Sequence, residues 1–148
     1  MTTHTVQLHR VLRTTPAMLY RAFTEPGAFA RWLPPFGFVG EVHAMDAVVG
    51  GMWRMSFTHF STGHTHSFGG KYHELVPGER VVYDASFDDP GLPGTLKTSV
   101  TLKAVRGGTD IAITQEGIPE AIPVEMCYLG WQESLQLLAL LVEPEIRP

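Results

Sequence analysis

Pro123-Val-Glu-Met-Cys-Tyr-Leu-Gly-Trp-Gln-Glu-Ser-Leu-Gln-Leu-Leu-Ala-Leu-Leu-Val142 is the stretch whose reading decides the fold. It contains no internal proline and stops at Glu143-Pro144, so it is expected to form one helix about 30 Å long. Met126, Leu129, Gly130, Leu137, Leu140 and Leu141 fall on one apolar stripe at helical spacing. Tyr128, Trp131, Leu135, Leu138 and Val142 fall on a second. A helix apolar on two sides is predicted to be largely buried, so the rest of the chain must wrap it.

The segment before it, from Glu41 to Glu116, alternates strand patterns with tight turns. A two-residue turn at Gly107-Gly108 would pair Arg106 with Thr109. That register puts Val100, Leu102, Ala104, Ile111 and Ile113 on one face. Ser99, Thr101, Lys103, Asp110, Thr114 and Glu116 then share the other, which gives one core side and one solvent side. The turn at Pro77-Gly78 places Phe68, Gly70, Tyr72 and Glu74 on the face of Val81, Tyr83, Ala85 and Phe87. The turn within Ser61-Thr62-Gly63 allows two registers. Pairing His59 with His64 adds Trp53, Met55, Phe57 and His59 to the same inner face, whereas a three-residue loop sends His64 and His66 outward.

Upstream, Thr5 to Leu12 reads as an opening strand. Thr15-Pro16 offers an N-cap followed by proline at the first helical position, and Leu19, Tyr20 and Phe23 give that helix its stripe. Glu25-Pro26 restarts a second short helix carrying Phe29, Trp32 and Leu33, which Pro34-Pro35 ends. Trp32 and Trp131 are expected to anchor the short helices to the long one. The predicted architecture is α+β: a curved antiparallel sheet of about six or seven strands around a long C-terminal helix, with two short helices after the first strand.

The 148 residues suit one domain, 1–148, able to bury a core without a disulfide or metal staple. Net charge is −4, and the eleven Lys and Arg are scattered, so nucleic acid is not an expected partner. No stretch is long and apolar enough to insert in a membrane, and no signal peptide is legible. The single cysteine, Cys127, fits a reducing cytoplasm. A homodimer is compatible with this reading.

Glu133 sits on the stripe of Met126, Leu129, Gly130 and Leu137, where a carboxylate is paired, neutralised or kept for a ligand unless this position of the helix is solvated. Gln115 points inward beside Val100 in the expected register and would share the interior with Tyr72 and Tyr83. Trp53 faces Gly70 across the sheet, and the missing side chain leaves room for a ligand or for the indole alone. The candidate ligand-binding set is therefore Trp53, Met55, Phe57, Tyr72, Tyr83, Phe87, Gln115 and Glu133. His59, His64 and His66 invite a metal, but their spacing is no zinc signature and they are read as a surface group at a hairpin end. Cys127 reads as a small buried apolar residue. No nucleophile elbow, phosphate loop or dinucleotide fingerprint is present, and no metal or cofactor is expected.

The chain resembles the helix-grip START/polyketide-cyclase (SRPBCC) superfamily, and within it the Aha-type domain named after activators of a heat-shock chaperone ATPase. The resemblance rests on Pro16-Ala-Met-Leu-Tyr-Arg-Ala-Phe-Thr24, Arg31-Trp-Leu-Pro34 and Gly50-Gly-Met-Trp-Arg-Met55. It continues in Phe68-Gly-Gly-Lys-Tyr-His-Glu-Leu75, Gly108-Thr-Asp-Ile-Ala-Ile113 and Gly130-Trp-Gln-Glu-Ser-Leu135. It implies a helix-grip fold around an internal cavity, and functions that range from apolar-ligand binding through polyketide cyclisation to chaperone assistance. The leading expectation is non-covalent binding of a small, largely apolar or aromatic molecule. The alternatives are an enzyme of cyclase, dehydratase or hydrolase type in the same cavity, or a chaperone-associated, stress-related interaction domain.

Overall fold

The computed structural model describes residues 2–145. Strands β1 (Thr3–Leu12), β2 (Phe38–Met45), β3 (Met52–His59), β4 (Thr65–Val76), β5 (Arg80–Phe87), β6 (Leu96–Val105) and β7 (Gly108–Pro119) form one antiparallel sheet. Helices α1 (Pro16–Thr24) and α2 (Pro26–Trp32) follow β1, and α3 (Val124–Val142) follows β7. The spatial order is β1-β7-β6-β5-β4-β3-β2. Strands β2 to β7 run as a meander, and the α1–α2 pair carries the chain from β1 at one edge to β2 at the other. This is the α+β arrangement expected, with a curved seven-stranded sheet and a long final helix.

The two short helices begin as their sequence dictates. The Thr15 hydroxyl accepts from Met18 N–H at 3.2 Å, and Pro16 and Pro26 each stand at a helix start. Their inner faces carry Leu19, Phe23, Phe29 and Trp32, all almost fully buried. Trp32 lies edge-on to Phe23 at 4.7 Å and to Phe29 at 5.6 Å, and its Nε1 donates to Ala22 O at 2.8 Å.

The sheet registers differ from expectation in two instructive ways. The last hairpin turns at Arg106-Gly107, one residue early, with Val105 opposite Gly108 and Leu102 opposite Ile111. Gly107 takes φ of 92°, a conformation that side-chain-bearing residues rarely adopt, and this puts the glycine inside the turn. The whole ladder is thereby displaced by two residues, and because the side-chain period is two, the core face is unchanged. Ala104 is nonetheless exposed, beyond the edge of the core. At Pro77-Gly78 the expected pairs Tyr72–Tyr83 and Phe68–Phe87 are present. A bulge between Tyr72 and Glu74 then shifts the register, so Leu75 and not Glu74 stands opposite Val81. Glu74 points outward and pairs with Arg80 at 3.2 Å. The histidine hairpin takes the four-residue loop, with His59 N–H donating to His64 O and Trp53 opposite Gly70.

The largest correction concerns α3. Its second stripe is the inner one: Trp131, Leu135, Leu138 and Val142 are buried, together with Ser134. Most of its first stripe faces out, with Met126 58% and Leu140 72% exposed and Leu129 and Leu141 exposed as well, while Leu137 is half-buried against the core. The helix is held at points along its length. Tyr128 OH accepts from Gln7 N–H, Trp131 Nε1 donates to Gln115 Oε1, Ser134 Oγ donates to Leu33 O, and Glu143 Oε2 accepts from Arg13 N–H. The helix packs against α1, α2 and β1.

Two substitutions test this packing. Trp32→Ala should lower stability by about 3–5 kcal/mol, because it removes a fully buried ring from between two others; urea melts measure the loss. At Gly70 an added Cβ would come within 2.1 Å of Asp84 O, the atom that accepts from Trp53 Nε1 at 3.2 Å. Gly70→Ala should therefore cost about 1–3 kcal/mol as an overpacked site and change Trp53 fluorescence.

Candidate functional site

Where the first half of α3 overhangs the sheet, a pocket of about 350 Å³ remains. Its sheet wall is Trp53 and Phe57 of β3, Phe68 of β4, and Tyr83, Ala85 and Phe87 of β5. Leu96 of β6 and Gln115 and Ile118 of β7 continue that wall. Leu33 and Pro35, after α2, close one end. The helix supplies Met126, Cys127, Gly130, Trp131 and Ser134. The exposed side chains of Met126 and His66 mark where the pocket opens to solvent.

The aromatic part of the lining is a continuous edge-to-face network. Trp53 meets Phe68 at 5.7 Å and Tyr83 at 5.5 Å, and Phe57 meets Phe68 at 4.8 Å. Such tilted contacts lock the rings and add to their burial energy. On α3, Gly130 is the gap in the helix wall: a Cβ added there would have no neighbour within 4 Å. The space beside Gly70 is different. Asp84 and the Trp53 indole occupy it, so Gly70 opens no room for a ligand.

The polar groups are few, and Gln115, Trp131 and Ser134 are already hydrogen-bonded. Trp131 Nε1 donates to Gln115 Oε1 at 3.1 Å, and Gln115 Nε2 donates to the Thr98 hydroxyl at 2.9 Å. Ser134 Oγ donates to Leu33 O at 2.6 Å. Burial pushes the Tyr83 phenol well above its ordinary range, and a hydrogen bond with Thr98 only partly counters it. Burial also raises the Cys127 thiol, so it stays protonated and a poor nucleophile at neutral pH.

The sequence-derived candidates are distributed unevenly over this site. Trp53, Phe57, Tyr83, Phe87 and Gln115 line the pocket. Gln115 stands opposite Thr98 and not beside Val100, as the two-residue slip of the hairpin requires. Met55 is fully buried in the core, and Tyr72 stands 6.5 Å behind the Tyr83 ring; neither reaches the lining. Glu133 is half-buried on α3, outside the lining. Trp131, expected to pack on the short helices, is a pocket wall instead. Its hydrogen bond to Gln115 could not be read from helical spacing, which gives a residue's face and not its partner.

His59, His64 and His66 share the end of one hairpin, but only His66 reaches the pocket. His59 Nδ1 is taken up by Ser61 and Thr62, and the rings of His64 and His66 lie 4.6 Å apart. Among the described residues no three His, Cys, Asp or Glu side chains are placed to hold a metal ion. No described helix is long and apolar enough to cross a membrane.

The chain can now be set beside known proteins. The family model described as "Activator of Hsp90 ATPase homolog 1-like protein" matches residues 13–143. The solved structure of protein CV1439 from Chromobacterium violaceum is 57% identical, with TM-score 0.94 over 95% of this chain and 98% of that one. A Rhodobacter sphaeroides protein is 22% identical, with TM-score 0.82 over 93% and 90% of the two chains. Protein NE0264 from Nitrosomonas europaea is 19% identical, with TM-score 0.78 over 93% and 92%. These last two show a shared fold. No curated protein matches significantly. The chain belongs to the activator of Hsp90 ATPase homolog 1-like family and is an Aha-type helix-grip domain of the SRPBCC superfamily.

Proposed function

We propose that this protein binds a small, largely apolar molecule, without covalent chemistry, in the pocket between α3 and the sheet. One observation carries the reading: about 350 Å³ walled mainly by aliphatic and aromatic side chains, with Gln115, Trp131 and Ser134 already hydrogen-bonded. That space equals the volume of roughly a dozen water molecules, which would find few partners on such a lining. Replacing them with apolar surface is favourable at about 25 cal/mol per Å². Ligand contact falls to Trp53, Phe57, Tyr83, Phe87 and Gln115, joined by Trp131 and Gly130. Met55, Tyr72 and Glu133 act at most through these neighbours. The described lining contains no carboxylate, and its one imidazole, His66, stands at the exposed mouth, which favours binding over acid–base turnover. Residues 1–148 would work as one unit in the cytoplasm, where Cys127 stays reduced.

A second reading, an interaction domain of the chaperone-associated kind, is supported by the exposed stripe Met126, Leu129, Leu140 and Leu141 on α3. The paired substitution Leu129→Gln and Leu140→Gln separates the two. It should leave pocket binding within about twofold, well under 1 kcal/mol, while abolishing any self-association seen by sedimentation.

The pocket itself is tested by Gly130→Phe and by N-phenyl-1-naphthylamine, a neutral fluorescent probe. The natural protein should show saturable one-to-one enhancement. Gly130→Phe, which fills the gap, should weaken it at least about tenfold, or 1.4 kcal/mol. Gly130→Ala should raise stability by about 0.5–1 kcal/mol through helix propensity alone. An unchanged probe isotherm in Gly130→Phe would place the ligand elsewhere.

A further inference from the structure

The polar groups at the back of the pocket form a chain with one direction. An indole N–H can only donate, so the Gln115 atom 3.1 Å from Trp131 Nε1 must be the carboxamide oxygen. That fixes the carboxamide and turns its Nε2 to the Thr98 hydroxyl, which accepts at 2.9 Å. Thr98 is fully buried, so its own proton has no water to meet. Directly across the ladder from it stands Tyr83, which also lines the pocket. The second N–H of Gln115 is thus a donor left for an occupant, and the hydroxyl of Tyr83, also on the lining, can donate as well.

Charge and shape narrow the occupant further. No Lys, Arg, Asp or Glu is among the described lining residues and the one imidazole, His66, is exposed at the mouth, so an anionic group at the back of the pocket would be buried without a counter-ion. The wall is a run of aromatic rings set edge-to-face, an arrangement that extends naturally to one more flat ring.

We infer that the pocket selects a neutral, flat aromatic molecule bearing one hydrogen-bond-accepting oxygen, of the aryl ketone or quinone class, with that oxygen on Tyr83 and Gln115. This rests on the binding function proposed above. It adds the chemical class of ligand and the residues that select it.

Three probes of nearly one shape test it by calorimetry at pH 7.5: 2-acetylnaphthalene, 2-isopropenylnaphthalene and 2-naphthoate. The ketone should bind about fivefold or more tighter than the hydrocarbon, as one net hydrogen bond allows. The naphthoate anion should bind at least about tenfold more weakly than the ketone, because it is buried unpaired. Tyr83→Phe should bring the ketone-to-hydrocarbon ratio to about one while the hydrocarbon's affinity holds, the outcome for a lost hydrogen bond in an intact pocket. Thr98→Val, which removes the acceptor that orients the Gln115 carboxamide, should lower the same ratio without removing it. Equal binding of ketone and hydrocarbon, or tightest binding of the naphthoate, would overturn the assignment of ligand class while leaving a binding pocket. Failure of N-phenyl-1-naphthylamine and all three probes to bind would overturn both readings. Should Tyr83→Phe unfold, the wild-type probe ratios together with Thr98→Val still decide.

Discussion

A seven-stranded sheet is wider than any single helix can cover, and that mismatch governs the molecule. Strands about 4.8 Å apart make a surface on the order of 29 Å across. A helix with its side chains spans about 10–12 Å. The inner face therefore needs more than α3, and the α1–α2 pair supplies the remainder with Leu19, Phe23, Phe29 and Trp32. Where α3 leaves the short helices and passes over β3 to β7, neither layer fills the gap. The pocket is the part of the sheet that its helices do not reach.

The same mismatch accounts for the state of α3. Only one face can meet the sheet and the short helices, so one stripe is buried and most of the other is left to solvent. Both stripes are apolar in sequence, and helical spacing assigns residues to faces without ranking the faces. What distinguishes them is hydrogen-bonding partners supplied by distant segments: Gln7 for Tyr128, Gln115 for Trp131 and Leu33 for Ser134. Such information lies in tertiary structure, and a single sequence carries it weakly. Glu133 appeared inward because the outer stripe was read as core.

Strand patterns were more legible, for a simple reason. Alternation has a period of two, so a register error of two residues leaves every side chain on its own face. The β6–β7 hairpin shows this, since its core residues were placed correctly despite a misplaced turn. A bulge has no such protection. One extra residue near His73 exchanged Leu75 for Glu74, and nothing in the local composition announces it. The pocket was partly visible for the same reason: Trp53, Phe57, Tyr83 and Phe87 alternate along two strands, whereas Gly130 registers only as a small residue on a stripe.

The pairing of β1 with β7 has a consequence for how the chain matures. Every other strand pairs with its neighbour in sequence, but β1 must wait for a partner from the far end of the described chain, Thr3 opposite Pro119. During synthesis at about 5–20 residues per second, that wait is on the order of ten seconds. Val6 and Leu12, both buried in the finished protein, have no sheet to join in the interval. The meander can assemble hairpin by hairpin as it emerges, while its first strand arrives last. Closing that edge is a high-contact-order step and sets an upper limit on how fast the nascent protein becomes resistant to proteases and to misassociation.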